Sequence, residues 1–421
     1  LFRGIHLFAR DRRFCENYRD RFRLKSDRSE RRRLKVAHFT DTFDDVNGVA
    51  RTLQMETQTA LRNGKQLAII TCGSKADRPG VVNFSPIGAF DLPEYPDVKL
   101  SYPPLLKMLD YCYENGFTHI RSATPGPLGL AALAIARILK LPLYGTYHTA
   151  LPQYADLLTD DAAVGELMWK YTVWYYNQMD VVYVPSEATG DELSRKGVQK
   201  EKIRFYRRGI DINRFHPSNR NGFFRSRYGL KREDIKLLYV GRVSKEKNMP
   251  LLAEIYRKLL ALRPQVRLIV VGDGPYREEM RETLKGLPVT FTGFLADEDL
   301  AQAYASSDIF VFPSVTDTFG NVVLEAQASG LPVIVTDEGG PRENVLPGKT
   351  GFVVPGNEKR VLMDTILSLV DDPSRREKMG LQAREYMENR SFESAFLQLW
   401  DSYRSLDSNI RPAGPHAEVA L

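Results

Sequence analysis

From Lys35 onward the chain alternates short apolar runs with longer amphipathic ones, and this alternation constrains the fold more than any other feature. It is the pattern of βαβ units, because parallel strands need a crossover between them and a helix is the usual one. In the first half, LKVAHF, QLAIIT, THIR, LYGTYH and VVYVP predict strands, with helices opening near Gly48, Pro103, Pro127, Asp161 and Glu187. In the second half the predicted strands are KLLYVG, VRLIVVG, VTFTG, DIFVFP and PVIVT, followed by helices near Asn248, Pro275, Asp297 and Asn321. Each half is therefore expected to form its own doubly wound parallel sheet. Between them, RRGIDINRFHPSNRNG carries Gly, Pro, Asn and Ser with little periodicity and predicts a linker. The expected organisation is a basic extension or linker at 1–34, an N-terminal domain at 35–206, the linker at 207–222, a C-terminal domain at 223–390, a last helix at 391–406 and a tail at 407–421. Ligands of such sheets sit beyond the carboxyl ends of the strands, so a cleft between the halves is the expected site.

The length agrees with two domains, since 421 residues exceed what one core usually organises. With 43% hydrophobic and 27% charged residues, the composition excludes a fibre or wholesale disorder. Cys15, Cys72 and Cys112 form no C-x-x-C pair, which argues against a disulfide framework or a zinc knuckle and for a reducing, cytoplasmic setting. The longest apolar stretch, PLGLAALAIARILKLP, is interrupted by Arg137 and Lys140 and falls short of the roughly 18 residues a spanning helix requires. The opening LFRGIHLFARDRRF is too charged for a secretory signal and lacks an initiating Met. Residues 1–35 hold 13 Lys or Arg against 5 Asp or Glu, a net +8 that leaves −2 for the other 386 residues of a chain whose total is +6. A basic leader of this kind is a solvated arm or an attraction to anionic lipid at the inner face of a membrane. Nothing downstream supplies a nucleic-acid fold signature, so nucleic acid is not an expected partner.

Three attractive patterns fail. VVGDGPYREEM begins like a dinucleotide fingerprint, but Arg277 stands where its last Gly belongs. GKT at 348–350 lacks the first Gly of a phosphate loop, whose place is taken by Glu343. Asp297 and Asp299 form a D-x-D of the kind that holds a metal-bound sugar nucleotide, yet ADEDLAQAY reads as a helix start with acids favoured by the dipole, so no metal site is expected.

What remains suits a phosphorylated sugar. GRVSKEKN places Arg242 and Lys247 just past a strand, where a diphosphate would lie. Gly48, opening the first helix, lets backbone N–H groups come close to a phosphate. In TDTFGNVVLEAQASG, a turn runs into a helix that Gly330 stops, so Phe319, Gly320, Asn321 and Val322 are expected to present free N–H groups at a positive helix end. Asp317 and Glu325, eight positions apart, flank that end and suit sugar hydroxyls and a ribose diol. A purely structural account makes Asp317 a helix cap and Glu325 a buried, paired acid. His148 follows the strand LYGTYH, and a lone His there serves structure as readily as function. TDTF also occurs at 40–43, but its flanks, DVNGVA against GNVVLE, share nothing, so the repetition reads as coincidence.

Together, TDTFDDVNGVARTL, YHTALPQYA, YVPSEATGDEL, RRGIDINRFHP, GRVSKEKNMPLL, VVGDGPYREEM, FTGFL, ASSDIFVFPSVTDTFGNVVLEAQASGLPVIVT and GFVVP resemble the retaining glycosyltransferases of family 4 over about residues 35–406. The resemblance implies a GT-B fold, two Rossmann-like domains facing across a cleft, with SFESAFLQLWDSYRSL crossing back to the first domain. The family's E-x7-E motif falls on Asp317 and Glu325, so the first acid is one methylene shorter than the family's Glu. Carried over position by position, the resemblance puts Gly48, Arg242 and Lys247 on the donor diphosphate, and the amides after Phe319 on the sugar and phosphate. It puts Glu325 on the ribose, Asp317 on the sugar hydroxyls, Phe294 near the base and His148 near the reacting carbon. It implies no cofactor and no metal, a nucleotide-sugar donor, and a lipid or glycan acceptor. The TDTFGNVVLEA version is most similar to α-mannosyltransferases using GDP-mannose and related glycolipid synthases. A UDP-sugar donor, an epimerase on the same fold and a non-catalytic scaffold remain alternatives. In DDAAVGELMWKYTVWYYNQMD, Trp169, Tyr171, Trp174, Tyr175 and Tyr176 are expected chiefly as packing, and as an acceptor platform in the lesser reading.

Overall fold

The computed structural model describes residues 34–44, 48–73, 78–92, 95–148, 162–206 and 208–410. The basic extension 1–33 with Cys15, the tail 411–421 and the stretch 149–161 after His148 lie outside the described residues. Two compact units divide the rest, one of residues 34–184, 190–206 and 398–410, the other of residues 185–189 and 208–397.

In the first unit, strands β1 (Lys35–Phe39), β2 (Gln66–Cys72), β3 (Val81–Phe84), β6 (His119–Ser122), β7 (Leu143–Thr146), β8 (Val181–Val184) and β9 (Ile203–Phe205) form a parallel sheet in the order β3-β2-β1-β6-β7-β8-β9. An antiparallel pair, β4 (Gly88–Leu92) and β5 (Tyr95–Tyr102), stands apart from it. Every residue of β6, β7 and β8 is buried, as expected for strands covered by helices on both faces. The core joins Phe39, Ile70, Ile120, Leu128, Ile135, Tyr176 and Val182.

In the second unit, β10 (Ile235–Val240), β11 (Val266–Val271), β12 (Val289–Gly293), β13 (Ile309–Phe312), β14 (Val333–Thr336) and β15 (Gly351–Val354) are parallel in the order β12-β11-β10-β13-β14-β15. In both sheets the order reverses beside the first strand, at β1/β6 and at β10/β13. At such a reversal neighbouring loops diverge to opposite faces and open a crevice at the carboxyl end of the sheet. The expected strands are present; β3, the β4/β5 pair, β9 and β15 were not expected, being short edge elements or a hairpin. The expected linker is packed: Phe215 is fully buried and Ile210 joins the second core.

The last helix, Phe392–Ile410, starts in the second unit, where Phe392 N–H donates to the Ile210 carbonyl at 2.9 Å. It ends in the first, where Tyr403 stacks on Tyr144 with ring centroids 5.2 Å apart and Tyr183 and Ser402 share a 2.9 Å hydrogen bond. The C-terminal helix thus crosses back to the first domain, as expected.

The first unit buries a charged cluster. Arg121 on β6 meets Glu56 Oε2 at 2.9 Å and Thr146 Oγ1 at 3.1 Å, and His38 Nδ1 on β1 lies 3.4 Å from the same carboxylate oxygen. Burial raises the Glu56 carboxyl, but the Arg121 charge and the His38 hydrogen bond outweigh it, and its pKa falls from 4.5 to about 2. Burial, aided by Arg121, lowers His38 from 6.5 to about 4, against the opposing pull of Glu56. Both folded values are depressed, so both contributions are present above the unfolded pKa and are lost as pH falls. For His38 the loss spans pH 6.5 to about 4, and for Glu56 pH 4.5 to about 2. Each group alone gives a slope of about 1.4 kcal/mol per pH unit within its window. Urea unfolding of His38→Gln is therefore expected to show a shallower fall in stability between pH 6 and 5 than the parent protein; parallel pH profiles would contradict this assignment.

Candidate functional site

The loops at the second unit's reversal, after β10 and after β13, carry most of the predicted site. The first is fixed by backbone contact with the loop after β11. A Cβ on Gly272 would sit 2.0 Å from the Gly241 carbonyl oxygen, and one on Gly274 would sit 2.4 Å from that of Val243, so the two loops close only because both positions are glycine. Val243 N–H donates to the Asp273 carbonyl at 2.9 Å, and the Tyr239 hydroxyl reaches the Arg242 carbonyl at 2.8 Å. The GDG segment that resembled a dinucleotide fingerprint is thus a packing device. Arg242 stays exposed, with no hydrogen bond or ion pair from its guanidinium among the described residues.

Lys247 closes the short turn Lys245–Lys247 and is buried. Its ammonium meets Asp317 Oδ2 at 2.7 Å. Two residues expected to address different parts of a ligand are therefore joined. Asp317 does not cap the following helix: the cap position of Asn321–Ala328 is Gly320, at φ 76°, which has no side chain to offer. A Cβ at Gly320 would stand 3.0 Å from Pro341 Cγ.

The turn itself is gripped by its carbonyls. Gly340 N–H donates to the Asp317 carbonyl at 2.9 Å, Ser186 Oγ to that of Thr318 at 2.9 Å, and Asn344 Nδ2 to that of Phe319 at 2.6 Å. Thr316 Oγ1 ties it to the Glu246 carbonyl at 3.3 Å. The Phe319 ring is buried, with the Arg208 guanidinium 5.5 Å from its centroid. Glu325, 5% exposed, accepts a 2.8 Å hydrogen bond from the Tyr304 hydroxyl, the partner its burial demands. Val322 packs partly buried against the core. Phe294, just past β12, is 64% exposed.

Gly48 and His148 belong to the first unit. Gly48 opens the helix Gly48–Arg62 and its carbonyl accepts from Thr52 Oγ1 at 2.7 Å; His148, two residues past β7, is buried. The D-x-D acids are engaged structurally: Asp297 pairs with Arg214 at 3.3 Å and Asp299 with Arg227. Their helix starts after Ala296 without a side-chain cap. Tyr304, Ser186, Asn344 and the Gly339–Gly340 pair had no part in the sequence reading. Only the double glycine after β14 carried a signal, that of a close backbone approach.

Residues 46–214 match the family described as Glycosyltransferase Family 4, and residues 221–386 that described as Glycosyl transferases group 1. A sulfoquinovosyl transferase of Arabidopsis thaliana is 34% identical over 73% of this chain, which spans 60% of that protein. A GDP-mannose-dependent alpha-mannosyltransferase of Mycobacterium tuberculosis is 34% identical over 89% of this chain and 97% of its own length. An alpha-monoglucosyldiacylglycerol synthase of Streptococcus pneumoniae is 31% identical over 72% of this chain and 70% of its own. Among solved structures, Anabaena HepE in complex with UDP superposes with a TM-score of 0.71 over 88% of this chain and 100% of that one, at 21% identity, a likeness of fold.

A side chain at position 340 has no room, since its Cβ would lie 2.0 Å from the Thr318 carbonyl oxygen and 2.9 Å from Ser186 Oγ. Gly340→Ala is expected to cost about 1–3 kcal/mol and to lower the melting midpoint measured by circular dichroism. An unchanged midpoint would mean that the turn is less tightly held than its hydrogen bonds indicate.

Proposed function

Since the chain belongs to glycosyltransferase family 4, whose members move a sugar from a nucleotide donor, we propose that the sugar is a hexose, mannose carried on GDP, and that the acceptor is a lipid or glycan of the cell envelope. The observation that carries the reading of the site is the Lys247–Asp317 pair, set beside a helix whose cap residue is Gly320. The bond from Lys247 to Asp317 fixes the ammonium beside the turn that leads into the helix. In this reading Lys247 and the exposed Arg242 face the donor diphosphate, with the amides from Phe319 to Val322. Asp317 Oδ1 and Glu325 address the sugar and ribose hydroxyls. Phe294 lies near the base. Gly48, on the diphosphate, and His148, on the donor sugar, enter by family resemblance alone.

The reaction breaks the bond between the anomeric carbon and the diphosphate oxygen. A bond from the acceptor oxygen forms on the same face, with retention, and the acceptor proton passes to the departing phosphate oxygen. Negative charge grows on the diphosphate as the bond breaks, so cations and amide dipoles fixed there bind the transition state more tightly than the ground state. Asp317 and His148 position and stabilise; neither becomes a covalent nucleophile. No metal is required in this scheme.

The mannose and GDP assignment is supported by the Mycobacterium relative, which this chain matches along 97% of that protein. A UDP-sugar-dependent glycolipid transferase is the second reading, favoured by the Streptococcus relative.

Lys247→Ala is expected to lower transfer at least tenfold, or about 1.4 kcal/mol of barrier; undiminished turnover of the purified variant would refute the role of charge. Mass spectrometry after incubation with a panel of sugar nucleotides and lipid extracts, with and without EDTA, is expected to reveal a mannosylated acceptor from GDP-mannose in both conditions. An altered free nucleotide sugar would instead identify an epimerase, binding without turnover a scaffold, and activity restored only by magnesium a metal-dependent reaction.

A further inference from the structure

Three tyrosines of the second unit are fully buried among the described residues, Tyr239, Tyr256 and Tyr304. The first two place their hydroxyls on backbone carbonyls, Tyr239 on that of Arg242 at 2.8 Å and Tyr256 on that of Pro288 at 2.7 Å. Tyr304 instead donates to a buried carboxylate, Glu325 Oε2, at 2.8 Å. A backbone carbonyl satisfies a phenol without burying a charge, whereas an acid taken out of water is unfavourable unless donors hold it. An apolar pair of the same shape would join the helices Asp297–Ala305 and Asn321–Ala328 about as stably, so packing alone does not account for the arrangement. The tyrosine is also kept from swinging. Phe215 meets its ring edge-on, with centroids 5.6 Å apart and the planes at 85°, and Phe310 of β13 lies 5.8 Å away. Arg214, next to Phe215, pairs with Asp297 at the start of the tyrosine's helix. Residues 214 and 215 thus brace that helix at its start and near its end, which fixes the hydroxyl against Oε2.

We propose that Tyr304 is a positioning residue that gives the site its selectivity for a ribonucleotide donor: its hydroxyl fixes the plane of the Glu325 carboxylate, so that the acid meets the vicinal hydroxyls of the ribose already oriented. The inference rests on the reading of Glu325 as the ribose contact and deepens it. A carboxylate accepts from a vicinal diol only in a narrow range of orientations, and a glutamate left to itself has its side-chain torsions to order before it reaches one. Tyr304 does that ordering within the fold, before the nucleotide arrives. Closing a ligand over a buried acid is offset only by hydroxyls that donate to it, so an oriented Glu325 favours a nucleotide that carries them over one that lacks them. Base and diphosphate contacts, made by other residues, lie outside this effect.

Calorimetry of the full chain with GDP and with UDP identifies the nucleotide that binds, and its affinity is compared with that of its 2′,3′-dideoxy form. The parent protein is expected to prefer the ribose form at least roughly tenfold. In Tyr304→Phe, which keeps the ring and its packing, that preference is expected to fall roughly fivefold, with the dideoxy nucleotide bound as in the parent. Equal weakening toward both nucleotides would make Tyr304 a packing residue and overturn the proposal, and so would an undiminished preference. Adding Tyr304→Phe to Glu325→Gln is expected to change neither affinity further, since the tyrosine acts through the acid; a further loss of affinity for both would overturn it. Should Tyr304→Phe not fold, Phe215→Leu, which loosens the brace and keeps the hydroxyl, is expected to reduce the preference in the same direction, and an unchanged preference there overturns the proposal. The ribose reading has its own outcomes. If the parent binds both forms alike, or Glu325→Gln leaves the preference intact, that reading fails and the proposal with it. If Glu325→Gln abolishes the preference and Tyr304→Phe does not, the ribose reading stands and the role of Tyr304 alone fails.

Discussion

Three consecutive carbonyls, those of Asp317, Thr318 and Phe319, accept hydrogen bonds from two segments outside the turn, and the geometry of the candidate donor site depends on that grip. The donors are the Gly340 amide, the Ser186 hydroxyl and the Asn344 side chain. With its oxygens held from outside, the turn between β13 and the helix Asn321–Ala328 cannot collapse onto its own helix end. Asp317 is thereby aimed at Lys247. The lysine in turn is in reach because β10 and β13 are neighbours across the sheet reversal, although 70 residues separate the two side chains along the chain. Glycines at 272 and 274 complete the frame by letting two loops touch backbone to backbone.

The first unit uses the same four letters, TDTF, for different work. Asp41 accepts from Thr124 Oγ1 at 2.8 Å and from Leu128 N–H at 3.0 Å, so it caps the helix Pro127–Leu139. A Cβ on Gly126 would fall 2.4 Å from Asp41 Oδ2, leaving that position to glycine. Asp317 instead finds a buried ammonium. Identical tetrapeptides at equivalent strand ends thus acquire opposite roles from whatever the neighbouring strand supplies: a helix start in one sheet, a lysine in the other. The buried Arg121–Glu56 pair makes the same point, since neither charge is stable in an apolar interior without the other.

The stretch PLGLAALAIARILKLP is too charged for a membrane span and yet too apolar for an ordinary surface. Among the described residues no helix is long and apolar enough to cross a bilayer. PLGLAALAIARIL has one face for the core, and its other face lacks the acids that a solvated helix normally carries. The structure separates these faces where hydropathy alone averages them.

Periodicity made the strands and helices legible, and with them the placement of Arg242, Lys247, Asp317 and Glu325 at strand carboxyl ends. It was legible because a buried parallel strand must be apolar on both faces and its crossover helix on only one. The edge strands β3, β9 and β15 were not, because an edge strand of three or four residues need bury little and leaves little pattern, nor was the β4/β5 pair, which belongs to neither parallel sheet. By itself the sequence determined two parallel-sheet domains, the family, and the presence of Arg242, Lys247 and Asp317 in the loops that follow two of the strands. Only the tertiary structure decided that Lys247 and Asp317 are partners, that Tyr304 satisfies Glu325, and that Asp297 and Asp299 belong to Arg214 and Arg227. The physical reason is range: local pattern reports on burial a few residues away, whereas a buried charge or hydroxyl is paired by whichever chain segment the sheet order brings beside it.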